Sequence, residues 1–232
     1  MNARAAELEH APPREPKEQF DDLGQQHETA QLGMWIFLAT EILFFGVLFA
    51  GYTIGRIRDP QGFVIGSKHT ELLYGAVESA ILLFSSAAVT WAVILIEQVE
   101  PPGGNQHHDV RSLVTGLLGF AMLCGVAFIV LHGVEYKHEY DEHLMPGIDY
   151  AQHGPFAKQM ELFFFVYYAL TLFHTLHVLI GTVLLAVMAM LVRRGTIHCR
   201  YSTPLVVGGL YWHLVDIVWI FLFPLIYLVD RT

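Results

Sequence analysis

Two histidines lie three residues apart in an apolar stretch without charges, LFHTLHVLIG, which covers residues 172–181. Carboxylates and further histidines occur in similar apolar surroundings elsewhere in the chain. Together these candidate residues are Glu41, Glu78, His132, Glu135, His174, His177, His213 and Asp216. Their nitrogen and oxygen atoms can bind a metal, exchange protons or form hydrogen bonds between helices. Which of these they do depends on the elements that position them.

The apolar residues are gathered into five long runs. Hydrophobic residues make up 54% of the 232 residues and charged residues 15%. A helix needs about 20 apolar residues to cross the hydrocarbon core, and only helices and closed barrels satisfy the backbone polar groups there. The sequence therefore predicts an all-α polytopic membrane protein, a bundle of five transmembrane helices. The predicted spans cover about 32–55, 72–96, 113–134, 162–192 and 204–229.

The first 30 residues are polar and acidic and include Pro12, Pro13 and Pro16. They lack the basic region and the short apolar stretch of a secretion signal. We therefore expect a retained, partly disordered tail over residues 1–30 and a membrane domain over residues 31–232.

Orientation in the membrane follows the excess of Lys and Arg in cytoplasmic loops. Seven basic residues fall on the side of the N-terminus and six on the other side, so the total count does not decide it. The short loop with Arg193, Arg194 and Arg200 favours a cytoplasmic N-terminus. Arg193 and Arg194 are also candidates for contact with lipid headgroups. A net charge of -9 argues against nucleic acid as a partner.

The cysteine pattern argues against several redox sites. Cys124 lies inside the third span and Cys199 in a loop, and the sequence has neither a CxxC nor a CxxCH motif. This spacing does not fit a disulfide framework, a dinuclear copper site or covalently attached haem.

The candidate residues themselves leave three interpretations open. Histidines on facing helices can bind haem b. Di-metal bundles use Glu-x-x-His elements, which no span contains, although His132-x-x-Glu135 has the reversed order. Hydrogen bonds between helices, worth about 1 kcal/mol each, explain every candidate, and proton exchange remains the third interpretation. Residues three apart share a helix face, so we expect His174 and His177 to form one polar patch, and His213 and Asp216 another.

A comparison of depth predicts one specific contact. Glu41 lies 14 residues before Gly55, and His177 lies 15 residues after Leu162. If the spans alternate in direction, Gly55 and Leu162 lie at the same membrane face. Glu41 and His177 are then both about 21 to 22 Å from that face, at about 1.5 Å per residue. We therefore expect Glu41 and His177 to meet.

Three segments, GMWIFLATEILFFGVLFAGY, FHTLHVLIGT and YWHLVDIVWIFLFPLIYL, together resemble subunit III of the haem-copper terminal oxidases in its short, five-helix prokaryotic form. The resemblance covers residues 31–230. It implies a subunit without redox centres in a respiratory cytochrome c oxidase, a proton-pumping enzyme of aerobic electron transport in the bacterial cytoplasmic membrane. This chain would then hold no cofactor, no metal ligand and no catalytic residue.

The resemblance also implies partners. Subunit I, with the haems and copper, would be the main contact, subunit II would supply the electron-entry site, and a subunit IV is a further candidate. The subunit would bind phospholipid, stabilise subunit I during turnover and support proton uptake.

Individual residues match the family as well. Its carbodiimide-reactive buried carboxylate corresponds to Glu41, with His177 as the expected partner, and further matching residues are His174, His213 and Asp216. A polar seam between helices would then consist of Glu78, His132, Glu135, His174, His213 and Asp216. Quinol-oxidising relatives often have Asp in place of Glu41, which favours cytochrome c as the donor. A quinol oxidase subunit III, an accessory subunit of a nitric oxide reductase, a haem b membrane cytochrome and a transporter are the alternatives.

Overall fold

The computed structural model describes residues 22–98, 106–151, 156–197 and 201–228. The helices of these ranges are α1 (Leu23–Arg58), α2 (Pro60–His69), α3 (Leu72–Gln98), α4 (Gln106–Asp141), α5 (Ala157–Arg194) and α6 (Thr203–Tyr227). Two strands of two residues each, β1 (Leu144–Met145) and β2 (Asp149–Tyr150), pair antiparallel after α4.

Within the described residues, five helices are long and apolar enough to cross a membrane, namely all but α2. The predicted all-α bundle with five spans is therefore confirmed. Except for α6, which ends at Tyr227, these helices are longer than the predicted spans, because a polar helix end that projects into water keeps its backbone hydrogen bonds. α5, with 38 residues, is about 57 Å long at about 1.5 Å per residue and must extend beyond a hydrocarbon core of about 30 Å.

The start of α1 lies within the predicted polar tail. Asp22 caps this helix, and its carboxylate accepts a hydrogen bond of 2.7 Å from the backbone N–H of Gln25. Such a cap satisfies one of the free N–H groups of the first turn. Residues 23–30 are therefore helical, whereas residues 1–21 lie outside the described residues.

The short helix α2 lies between the first two spans, where the sequence predicts no helix. It begins with Pro60, a residue whose fixed φ suits the first position of a helix. A Cβ atom at Gly66 would lie 2.4 Å from the ring of Phe163, so the glycine allows α2 to pack closely against α5.

The core of the bundle is centred on α6. Of the most apolar window of α6, 61% is buried, compared with 17% for α1. The indoles of Trp212 and Trp219 are fully buried and donate hydrogen bonds to Ser85 (2.9 Å) and Ser79 (3.1 Å) of α3. α1 packs against α5, α6 and α2, so much of its apolar surface is left uncovered by this chain.

Candidate functional site

Glu41 of α1 and His177 of α5 form a contact that we call the outer pair. The Nε2 atom of His177 lies 3.0 Å from Oε2 of Glu41, and its Nδ1 atom lies 2.7 Å from the carbonyl oxygen of Phe173. A carbonyl only accepts, so Nδ1 must carry a hydrogen. The bond to Glu41 then requires a second proton, held either on Nε2 or on the carboxyl group. In either arrangement, a hydrogen bond between Nε2 and Oε2 connects the two side chains.

The outer pair lies near the surface of the bundle. The side chains of Glu41 and His177 keep 18% and 14% of their surface exposed. The ring of Phe45 contacts His177 edge-on at a centroid distance of 5.2 Å. The hydroxyl of Tyr211 donates a hydrogen bond of 3.3 Å to the backbone carbonyl of His177. Aromatic side chains thus hold the imidazole, while one side of the pair remains open to whatever lies next to the chain.

A second group of ionisable residues is completely enclosed. Glu78 of α3 and His132 and Glu135 of α4 are 0%, 1% and 2% exposed, and we call them the inner cluster. The Nδ1 atom of His132 lies 3.5 Å from Oε1 of Glu78 and 3.4 Å from Oε2 of Glu135. The hydroxyl of Tyr227 donates a hydrogen bond of 2.8 Å to that oxygen of Glu135. The ligand atoms of the three residues lie within 4.8 Å of one another, which is close enough to share one ion.

His174 and His177 do not form the single patch that their spacing predicts. His174 is fully buried, with its ring stacked on Trp219 at 5.0 Å and edge-on to Phe128 at 5.4 Å. Neither of its nitrogens has a hydrogen-bond partner in the described part of the chain. Three residues advance about 300° around a helix of 3.6 residues per turn, so the two side chains diverge by about 60°. In a crowded bundle this angle separates a core position from a peripheral one.

His213 and Asp216 are both on the buried helix α6, but His213 makes its contacts with α3. Its Nδ1 atom lies 2.7 Å from the hydroxyl of Ser86, and its Nε2 atom lies 3.3 Å from the hydroxyl of Thr90. Asp216 is 3% exposed, and within the described ranges neither of its oxygens forms a hydrogen bond. The polar seam predicted from the sequence is therefore divided among the inner cluster, a histidine packed on aromatic rings, and a contact between α3 and α6.

Sequence reasoning missed two residues next to the inner cluster. Glu139 is 2% exposed and lies one helical turn after Glu135, a spacing that could have revealed it. Tyr227 reaches Glu135 from the end of α6, and no local sequence signal indicates that contact.

Arg193 and Arg194 are exposed in the last turn of α5. Arg111 of α4 donates hydrogen bonds to the carbonyls of Val192 (3.2 Å) and Arg193 (2.5 Å). Three guanidinium groups therefore gather at one end of the bundle, where the free carbonyls of a helix C-terminus favour positive charge.

The family model of cytochrome c oxidase subunit III matches residues 24–230 of the sequence. The chain belongs to this family. As a subunit III of a haem-copper oxidase, it is a multi-pass membrane protein that associates with other oxidase subunits in the respiratory chain. The resemblance seen in the three sequence segments is thus confirmed.

Curated relatives of this subunit III occur in two kinds of oxidase. It is 28% identical to a probable cytochrome c oxidase subunit 3 of Rickettsia bellii, over 85% of this chain and 68% of that protein. The cytochrome c oxidase subunit 3 of Thermostichus vulcanus is 29% identical, over 86% and 87%. The cytochrome bo(3) ubiquinol oxidase subunit 3 of Pseudomonas aeruginosa is 28% identical, over 89% and 91%. These similarities assign the subunit and leave its electron donor open.

Proposed function

We propose that this chain is the subunit III of a bacterial cytochrome c oxidase, without a redox centre of its own, and that it stabilises subunit I and supports proton uptake into it. The observation that most directly supports this proposal is the contact between the two residues of the outer pair. The Nε2 atom of His177 lies 3.0 Å from Oε2 of Glu41, and one side of the outer pair is open toward a neighbour.

The position of the outer pair supports a contact with a partner subunit. An ionisable pair facing lipid is costly, and such groups almost always face protein or a water-filled cavity. On the same face of α1 as Glu41, Phe37 and Phe44 lie four residues before it and three residues after it, and they are 42% and 37% exposed in this chain. An apolar face that contains one ionisable pair suits a contact with subunit I, the member of the complex that consumes protons.

Cytochrome c is proposed as the electron donor because position 41 holds Glu and not Asp. The experiment is to purify the native complex through an affinity tag on this chain and to measure oxygen consumption with reduced cytochrome c and with ubiquinol. We expect turnover with cytochrome c and copurification of subunits I and II. Turnover with ubiquinol alone would instead assign the chain to a quinol oxidase, and consumption of nitric oxide without oxygen reduction would assign it to a nitric oxide reductase.

The role without a redox centre has its own test. An absorption spectrum of the purified chain alone should lack a Soret band. A Soret band that disappears after His174→Leu or His213→Leu would show a haem b cytochrome and contradict the proposal.

Phospholipid contact is proposed for Arg193 and Arg194 at the end of α5. Their exposed guanidinium groups can pair with lipid phosphate. Mass spectrometry of lipids that remain with the complex should show a loss of anionic phospholipid after the double change Arg193→Gln and Arg194→Gln. The matched change Lys158→Gln, at the opposite end of α5, should leave the lipid content unaltered.

A further inference from the structure

The inner cluster has a geometry that hydrogen bonding does not account for. Within the described residues, neither oxygen of Glu78 and neither nitrogen of His132 forms a hydrogen bond. Their side chains are 0% and 1% exposed, so they are not in contact with bulk water. Buried polar groups are paired in the great majority of proteins. The ligand atoms of the three side chains nevertheless lie within 4.8 Å of one another.

The distances around this point match those around a metal ion. Ligand atoms that lie about 2.0 to 2.2 Å from a tetrahedral zinc ion lie about 3.4 Å from each other. The Nδ1 atom of His132 is 3.5 Å and 3.4 Å from the nearest oxygens of Glu78 and Glu135. The nearest oxygens of Glu78 and Glu135 lie within 4.8 Å of each other, so an ion at the centre requires these two carboxylates to approach by at most about 1.4 Å.

The charge of the inner cluster also suits a divalent cation. Two carboxylates beside a neutral imidazole carry a charge of minus two, which one divalent ion cancels. The imidazole of His132 is enclosed by the rings of Phe128 and Trp219, at centroid distances of 5.7 and 5.8 Å. A dry aromatic shell strengthens the attraction between the ion and its ligands because it excludes water.

We propose that Glu78, His132 and Glu135 bind one divalent transition-metal ion, with Zn²⁺ as the species that fits one nitrogen and two oxygen ligands. Tyr227, whose hydroxyl donates to Oε2 of Glu135 at 2.8 Å, orients that ligand from the next shell. The ion joins α3 to α4 and, through Tyr227, to the end of α6. Its role is structural, since three helices are held by a single centre.

An ion can reach the inner cluster from the nearby end of α4. Glu139 lies one turn beyond Glu135 on α4, and Glu142 comes directly after the end of this helix at Asp141. Glu142 pairs with His138 at 3.4 Å and with His69 at 3.7 Å, and these three side chains are 38% to 49% exposed. Carboxylates and imidazoles thus extend from the aqueous end of the helix toward the inner cluster.

The test is the zinc content of the purified oxidase complex, measured by mass spectrometry after growth with Zn²⁺ and passage over a chelating resin. We expect about one zinc per chain and a loss of at least about tenfold after Glu78→Gln or His132→Gln, since removing even an outer-shell partner costs about 10- to 100-fold in affinity. Tyr227→Phe should weaken retention in the same direction. Asp216→Asn removes an equally buried carboxylate outside the inner cluster and should leave the zinc content unchanged.

X-ray absorption at the zinc edge of the wild-type complex keeps the proposal testable if the variants do not assemble. The expected spectrum has one imidazole and oxygen ligands at about 2.0 to 2.2 Å. Three results would each overturn the proposal. The wild-type complex could contain no zinc, or the zinc could have sulfur ligands. The third result is a zinc content that does not fall in assembled Glu78→Gln and His132→Gln variants. None of these outcomes depends on which electron donor the complex uses.

Discussion

At the scale of single residues, the outer pair and the inner cluster use the same side-chain types in opposite ways. In the outer pair, both nitrogens of His177 have a hydrogen-bond partner and one side of the pair is open. In the inner cluster, the nitrogens of His132 form no hydrogen bond with any residue that the structure describes, and all three side chains are buried. The first arrangement suits a proton that comes and goes, and the second suits a permanently bound cation.

Replacement of Glu41 by Ala should leave assembly of the complex largely intact. The change leaves one nitrogen of His177 without its hydrogen-bond partner, which costs a few kcal/mol at most. We expect unchanged haem content but slower proton uptake or faster loss of activity during turnover, measured from the progress curves of oxygen consumption. Glu41→Gln, which keeps the size of the side chain, should behave in the same way. Loss of haem from the assembled complex would contradict this prediction.

Replacement of His213 by Leu should act on assembly and not on chemistry. The imidazole connects α6 to the hydroxyls of Ser86 and Thr90 on α3, and contacts of this kind contribute about 1 kcal/mol in membranes. We expect a lower yield of the complex with normal turnover for each assembled molecule. Ser86→Ala is the matched control and should reduce the yield less, because Thr90 remains. A normal yield without any oxygen consumption would show that His213 has a direct functional role.

Contacts between individual residues could be predicted from the sequence only where the depth of each residue in the membrane determines them. Glu41 and His177 could be paired because both lie on long spans whose rise per residue is fixed. The inner cluster could not be predicted in this way, because Glu78 lies on another helix, α3, and the rotation of that helix about its own axis depends on side-chain packing. Hydropathy contains no information about that rotation.

At the scale of helices, the glycines of α4 distinguish packed from open faces. A Cβ atom at Gly125 would lie 2.3 Å from the hydroxyl oxygen of Thr182 and 2.9 Å from the ring of Trp212, whereas at Gly119 it would meet nothing within 4 Å. Gly125→Ala should therefore destabilise the bundle by about 1 to 3 kcal/mol through overpacking.

Thermal denaturation of the detergent-solubilised chain measures this effect, with Gly119→Ala as the control on the same helix. The control should be neutral or slightly stabilising, since alanine is favoured over glycine in a helix by about 0.5 to 1 kcal/mol. Equal losses in both variants would show that the close approach of α4 to α5 and α6 is not what Gly125 provides.

The five spans were predictable from the lengths of the apolar runs, but their ends were not. α4 begins at Gln106 and ends at Asp141, beyond the predicted 113–134, because helices continue through polar residues once the membrane part is formed. α2 was missed because its ten residues are only weakly apolar and its packing depends on glycines that meet α5.

At the scale of the whole molecule, an odd number of spans places the two ends on opposite sides of the membrane. The guanidinium groups of Arg111, Arg193 and Arg194 gather on the side where α1 begins, which favours that side as cytoplasmic. Alkaline phosphatase fused after Leu228 should therefore be active, and green fluorescent protein fused there should be dark. Fusions after Gly195 should give the reverse pattern. Fluorescence after Leu228 would show the opposite orientation.

The thin coverage of α1 has a consequence for handling the protein outside its membrane. Only 17% of the most apolar window of that helix is buried by the rest of the chain, so its attachment relies on neighbouring molecules more than that of any other span. Extraction under harsh conditions that remove these neighbours should weaken the packing of α1 before that of the other spans. Amide hydrogens near Glu41 should then exchange while those of α6 remain protected.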